Sequence, residues 1–214
     1  MRILKFSILI CYILINCAGC ASAQVKEGTN DNPQNAFIGE VYDSFKDFKK
    51  QSPSRQENLT IEVKKDSIAY RFINLKNSKK EKKAFAVKID NDLYVRIIPM
   101  RKTLKGKDRS QAWYGGNYYL KNKINGKYIV FEDYFYSPLG VMLPPITSEI
   151  TKELKAVLYD TEKKRFDIIR NEEEFRNFLN ENHPEKLTML KNDQEKEMAL
   201  IITIRKIIKE LNQE

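Results

Sequence analysis

After Cys20 the sequence contains no cysteine, and the whole chain carries one histidine, His183. The three cysteines, Cys11, Cys17 and Cys20, all fall within the first twenty residues. Beyond them there is no disulfide and no thiol chemistry, and zinc sites built from His and Cys are excluded by count. Ser-His-Asp and Cys-His nucleophilic arrangements would depend on His183 alone. It precedes Pro184 in an expected interhelix turn, has no candidate nucleophile nearby in sequence, and reads as a helix-start residue. Glycine is scarce too, eight in 214 residues, and no glycine loop of the phosphate-cradling kind exists. Asp90-Asn91-Asp92 begins like a calcium loop but continues with Leu93 and Tyr94, where further oxygen ligands are needed, so it reads as a turn. The sequence predicts no metal and no cofactor.

A hydrophobic run long enough to span a bilayer is also missing. The apolar stretch Phe6 to Ile15 falls well short of the roughly 20 residues a spanning helix needs. Arg2 and Lys5 precede it and Ala21-Ser22-Ala23 follows, the order of an export signal cleaved after Ala23. An alternative uses Cys20: Ala18-Gly19-Cys20 resembles the end of a lipoprotein signal, although Cys17 stands where leucine is usual, and the chain would then carry a lipid anchor on Cys20. The expected organisation is a signal peptide over 1–23, a polar flexible lead-in over 24–36 and a single domain over 37–214. The protein is expected in the periplasm or outside the cell, or lipid-anchored to the envelope.

What is abundant is positive charge. The formal net charge is +9, and residues 49 to 127 hold 21 Lys or Arg against 7 Asp or Glu, while residues 128 to 214 hold 13 against 17. Such a field concentrates anions. In an envelope these are lipid headgroups and acidic glycans, so an anionic glycan or lipid headgroup is the expected partner and nucleic acid is not. The alternative is that Lys79, Lys80, Lys82 and Lys83 form a solvated turn and other lysines line exposed strand faces.

Periodicity supplies the fold expectation. Ser44 with Asp47 caps a short helix with Val41, Phe45 and Phe48 on one face, ended by Pro53. Alternation at Ile61 and Val63, Ile68 to Ile73, Phe85 to Ile89 and Leu93 to Ile97 predicts two hairpins, with further strands at 118–120, 128–131, 156–159 and 166–169. The period then changes to 3.6: Asn171 is an N-cap with Glu174 at N3, Pro184 opens a short helix, and Leu200, Ile201, Ile204, Ile207, Ile208 and Leu211 form the stripe of a last helix. The pattern predicts an α+β domain, an antiparallel β-sheet meander followed by C-terminal helices packed on the sheet.

The segments FIGEVYDSFKDFKKQSPS, KKAFAVKIDNDLYVRI, NGKYIVFED and VLYDTEKKRFDIIRNEEEFRNFL together resemble an uncharacterised family of exported Bacteroidota proteins. The resemblance covers about residues 37 to 213. Relatives often carry Asp-Gly where this chain has Asp90-Asn91-Asp92. It implies export and the same fold, and supplies no catalytic residues. Asp66-Ser67-Ile68 also resembles the short O-glycan acceptor of that phylum.

Three surfaces remain as functional candidates. Nine of the 23 aromatic residues lie between Trp113 and Tyr136, and Trp113, Tyr114, Tyr118 and Tyr119 with Lys121 and Lys123 would form an aromatic, basic face for an anionic glycan or lipid. The alternative is cross-strand packing of tyrosines. The apolar segment Pro138 to Ile146 offers a protein-docking loop if exposed. Glu132 and Asp133 are the candidates for a carboxylate-dependent glycan hydrolase, although neighbours on a strand point to opposite faces. With no catalytic motif, a non-enzymatic envelope binding or structural component is the expected function.

Overall fold

The computed structural model describes residues 36–63, 68–104, 111–112, 117–136, 152–190 and 197–214. The signal segment 1–23 with Cys20, residues 24–35 of the lead-in, Trp113, Tyr114 and the 138–146 loop lie outside the described residues.

The described chain is mostly β. Strands β1 (Phe37–Tyr42), β2 (Arg55–Val63), β3 (Ala69–Asn74), β4 (Lys79–Lys80), β5 (Ala86–Ile89), β6 (Asp92–Arg96), β7 (Gln111–Ala112), β8 (Tyr119–Ile124), β9 (Tyr128–Tyr136), β10 (Lys152–Asp160) and β11 (Arg165–Ile169) all pair antiparallel. Helices are α1 (Phe45–Lys49), α2 (Ile97–Arg101), α3 (Glu172–Asn182), a 3-10 turn (Pro184–Met189) and α4 (Glu197–Leu211).

Six strands close on themselves in the order β1-β2-β3-β8-β6-β5, with β5 returning to β1. The closing pair is short, Ala69 opposite Leu120 and Tyr70 opposite Tyr119. Strand β8 then leaves the ring: from Asn122 it pairs with β9, which continues through β10 to β11 as a second sheet. This corrects the expected α+β meander with helices packed on it. A closed six-stranded antiparallel barrel carries a sheet extension; the C-terminal helices α3 and α4 cover the far side of that extension, while the short helices α1 and α2 pack between it and the barrel. Each hairpin signal in the sequence is local, whereas closure depends on β3 meeting β8 some fifty residues later and on β1 pairing with β5, contacts that no local period encodes.

Alternation along each strand sorts side chains into three cores. Leu59, Phe72, Val87, Ile89, Tyr94 and Tyr119 fill the barrel, where Phe72 packs edge-on against Tyr94 and Tyr119 with ring centroids 5.1 and 5.0 Å away. A six-stranded barrel is narrow, and these rings make its interior a packed core rather than a channel. Gly39 faces inward because there is no room for more: a Cβ there would lie 2.7 Å from Leu59 Cδ1. Between barrel and second sheet lies an aromatic core that includes Phe48, Phe85, Phe131, Tyr159 and Phe166. Beyond the sheet, Phe175, Leu179, Ile201, Ile204 and Ile208 pack on Val130, Ala156 and Leu158.

Most expected elements lie where periodicity placed them. Asn171 caps α3 by accepting from Glu174 N at 2.9 Å, and Ser44 caps α1 by accepting from Asp47 N at 3.1 Å. Val41, expected on the α1 face, belongs instead to β1 and is buried in the barrel. Ile97 opens helix α2 rather than ending a strand.

Candidate functional site

The cleft worth testing lies outside the barrel, where the outer faces of β1 and β5 meet the end of the second sheet and the segment after α1. It encloses about 450 Å³, within the range of small-ligand sites. Its inner wall is apolar: Phe48 of α1, Leu93 of β6, Ile129 of β9, and the rings of Tyr42 and Tyr159. Phe48 and Tyr159 touch with centroids 4.9 Å apart, and Tyr42 meets Phe48 edge-on at 5.9 Å.

The rim is polar. Glu40 and Lys88 are register partners across β1 and β5, with Lys88 Nζ 3.6 Å from Glu40 Oε2, and the Tyr42 hydroxyl donates to the same oxygen at 3.1 Å. Burial, then the Glu40 charge, pushes the Tyr42 hydroxyl up to about 12; burial, then Asp160, does the same for Tyr159, to about 12. Both phenols are therefore neutral donors at physiological pH.

Two hairpins close one end of the cleft. Asn122, buried in β8, accepts from Leu93 N at 2.8 Å and donates to Asn125 Oδ1 at 2.7 Å, and Asn125 donates to the Asn91 carbonyl at 2.6 Å. This relay of carboxamides fixes the β5–β6 turn against the β8–β9 turn. The Asp90-Asn91-Asp92 turn, with Asp90 at φ 51, thus gains a second role as part of the cleft mouth. Thr161 and Gln51 complete the polar edge.

The residues singled out in the sequence are dispersed. Tyr119 is fully buried in the barrel, its hydroxyl donating to the Ala84 carbonyl at 3.3 Å. Tyr118 lies half-buried under the Arg71 guanidinium, 4.5 Å from its ring centroid, and also meets Arg71 through its hydroxyl. Lys121 pairs with Asp92 at 2.5 Å, and Lys123 is exposed. Glu132 and Asp133 do point apart: Glu132 faces α4, where both its oxygens accept from Arg205, while Asp133 accepts from Tyr134 N at 2.8 Å. His183 caps the 3-10 turn and shares a 2.7 Å hydrogen bond between its Nε2 and the Tyr128 hydroxyl.

Sequence reasoning missed the cleft because its residues come from six elements. The turn residues Asn91 and Asn125-Gly126 were the available signal. A second concave feature adjoins α1, lined by Lys46, Lys49, Lys50, Lys163 and Lys164; the first three have i, i+3, i+4 spacing, a helical basic face that was legible. Among the described residues no group of three or more His, Cys, Asp or Glu side chains is arranged to hold a metal ion, and no helix is long and apolar enough to cross a membrane. The chain matches no protein-family model, no curated protein and no solved structure.

Proposed function

We propose that this chain is an exported, non-enzymatic binding component of the bacterial envelope, and that it takes a glycan in the cleft between barrel and second sheet. The carrying observation is the lining itself. Aromatic and aliphatic groups form one wall, and a ring of donors and acceptors from Glu40, Lys88, Asn91, Asn125 and Thr161 forms the other. Sugar rings present the same two-sided chemistry, apolar C–H faces and a girdle of hydroxyls. Lys88 is exposed despite its contact with Glu40, so it is available to an acidic substituent.

Binding is favoured over hydrolysis because Glu40 is the sole carboxylate among the described lining residues, and the two-carboxylate routes need a pair. The test is calorimetric titration with N-acetylglucosamine oligomers and with glucuronate-containing oligosaccharides, using the chain and its Asn91→Trp variant. The Asn91 side chain is exposed at the mouth, and its bond to Asn125 uses only the main-chain carbonyl, so the indole obstructs the cleft and leaves the turn intact. The expected result is binding of at least one series that weakens tenfold or more in the variant. Absence of binding by both series, or equal binding by the variant, overturns the reading.

A further inference from the structure

We propose that the lysine-lined depression beside α1 is a second, separate binding site, for ligands bearing closely spaced phosphate groups. Lys46, Lys49 and Lys50 of α1 and its C-cap converge there with Lys163 and Lys164 of the β10–β11 turn, around an open space of about 440 Å³. Five lysines line one volume, and like charges so placed repel.

The repulsion is tolerated because the two elements are fastened beneath the lysines by aromatic packing. Phe45 of α1 packs tilted against Phe166 of β11 at 5.8 Å, Phe48 stacks on it at 6.0 Å, and Phe48 also meets Tyr159 of β10. The depression is thus held open by rigid elements before any ligand arrives.

The nearby carboxylates have partners of their own, and one of them, Asp160, lies within ion-pair distance of Lys163. Asp47 accepts from the Ser44 and Ser54 hydroxyls at 2.6 and 3.2 Å. Asp160 is buried and accepts from the main-chain amides of Glu162 and Lys163 at 2.9 and 2.8 Å, with Lys163 Nζ 3.9 Å away. Glu162 pairs with Lys127 at 3.0 Å. Lys163 also donates to Asn182 at the end of α3, and Lys49 stands 4.9 Å over the Phe45 ring. Lys46, Lys50 and Lys164 are exposed, with no ion pair to any described carboxylate. Lys164 holds φ 52, a backbone region that glycine or asparagine adopts more cheaply.

Phosphate is the chemistry that fits. Among the described residues no guanidinium lines the depression, and planar, bidentate carboxylate recognition is the province of arginine; ammonium groups act as point charges and suit the higher charge of phosphate. The phosphates can belong to a soluble oligophosphate or to a lipid headgroup, and the test separates them.

The purified chain is titrated with sodium tripolyphosphate by calorimetry, and mixed in a sedimentation assay with phosphatidylcholine vesicles with and without cardiolipin. The variant is the triple Lys46→Gln, Lys50→Gln, Lys164→Asn. Its charge-matched control is Lys79→Gln, Lys80→Gln, Lys82→Gln, all exposed and outside the depression. Wild type is expected to bind tripolyphosphate, or only the cardiolipin vesicles if the source is a headgroup, and to release at higher salt. The depression triple weakens binding by roughly 100-fold and the control by a few-fold. Thermal unfolding of the depression triple stays at or above the wild-type midpoint, since repulsion and the strained lysine are both removed. Asn91→Trp leaves phosphate binding unchanged, which separates this site from the glycan cleft. No binding to either probe, or equal losses in the two triples, overturns the proposal.

Discussion

Asn212, the residue after α4, accepts a hydrogen bond from the Tyr128 amide at 2.8 Å and returns one to the Tyr128 carbonyl at 2.9 Å. The carboxamide imitates a strand neighbour, and its remaining hydrogen reaches the Asn125 carbonyl at 3.1 Å. One side chain thereby ties the end of the last helix to the β8–β9 turn that borders the cleft.

Replacing Asn212 with Ala is expected to lower stability by about 2 kcal/mol, since it leaves partly buried backbone groups without their partner. Urea unfolding measures it. Because Asn125 and Gly126 line the cleft, the variant also weakens any ligand bound there, and unchanged stability would show that water replaces the carboxamide without loss.

Gly126 is the other half of the same contact. It holds φ +144, and a Cβ on it would lie 2.4 Å from Asn212 Cγ. Gly126→Ala is therefore expected to cost about 2 to 3 kcal/mol, part backbone strain and part collision. In an Asn212→Gly background, which also removes the Asn212 Cβ that would lie 2.8 Å away, the collision disappears and only the strain remains, so the cost there should fall by about half. Equal costs in both backgrounds would assign the whole effect to the backbone.

Much of this arrangement was legible as parts and not as a whole. Asn171 with Glu174, Ser44 with Asp47, and the Leu200 to Leu211 stripe announce their helices because capping and the 3.6 period are local. The barrel was not legible, since its closure lies in the pairing of Tyr70 with Tyr119, two residues whose local patterns predict strands and nothing about their neighbours. Tyr119 also shows why an aromatic cluster misleads. Stacking on a sugar and packing inside a barrel ask for the same side chain, and only the strand's face decides between them. The lysine depression was hidden for a related reason: Lys163 and Lys164 belong to the half of the chain with excess acidic residues, so a count along the sequence averages them away.

The ion pair between Arg205 and Glu132 joins α4 to the second sheet. Glu132 is 3% exposed and accepts from Arg205 Nε at 2.6 Å, while the arginine remains partly open to solvent. Removing Arg205 strands a desolvated carboxylate, so Arg205→Met is expected to cost about 2 to 3 kcal/mol, the low end for a buried pair because of the arginine's exposure. Adding Glu132→Met to that variant should restore most of the loss by replacing the stranded charge with apolar contact. Chemical denaturation of both variants decides it, and a double variant as unstable as the single one would mean that the pair contributes packing rather than charge compensation.

Alkaline pH offers a test of the cleft wall. Tyr42 and Tyr159 both titrate near 12 in the folded chain, against about 10 when unfolded. Folding thus binds these phenolic protons more tightly, so the associated stability is fully present below pH 10 and is lost as pH rises from about 10 to 12. The expected fall is about 2 to 3 kcal/mol, allowing for solvent screening near the cleft mouth. Tyr94 and Tyr119, pushed up mainly by burial in the barrel, add to it at the high end. Urea unfolding between pH 8 and pH 12, read beside the tyrosinate absorbance, measures both the fall and its cause. The double variant Tyr42→Phe, Tyr159→Phe should retain only the part belonging to the barrel tyrosines and to Tyr128, whose hydroxyl burial also pushes up, whereas an unchanged profile would mean that the cleft wall is wet and that its phenols titrate as they do in the unfolded chain.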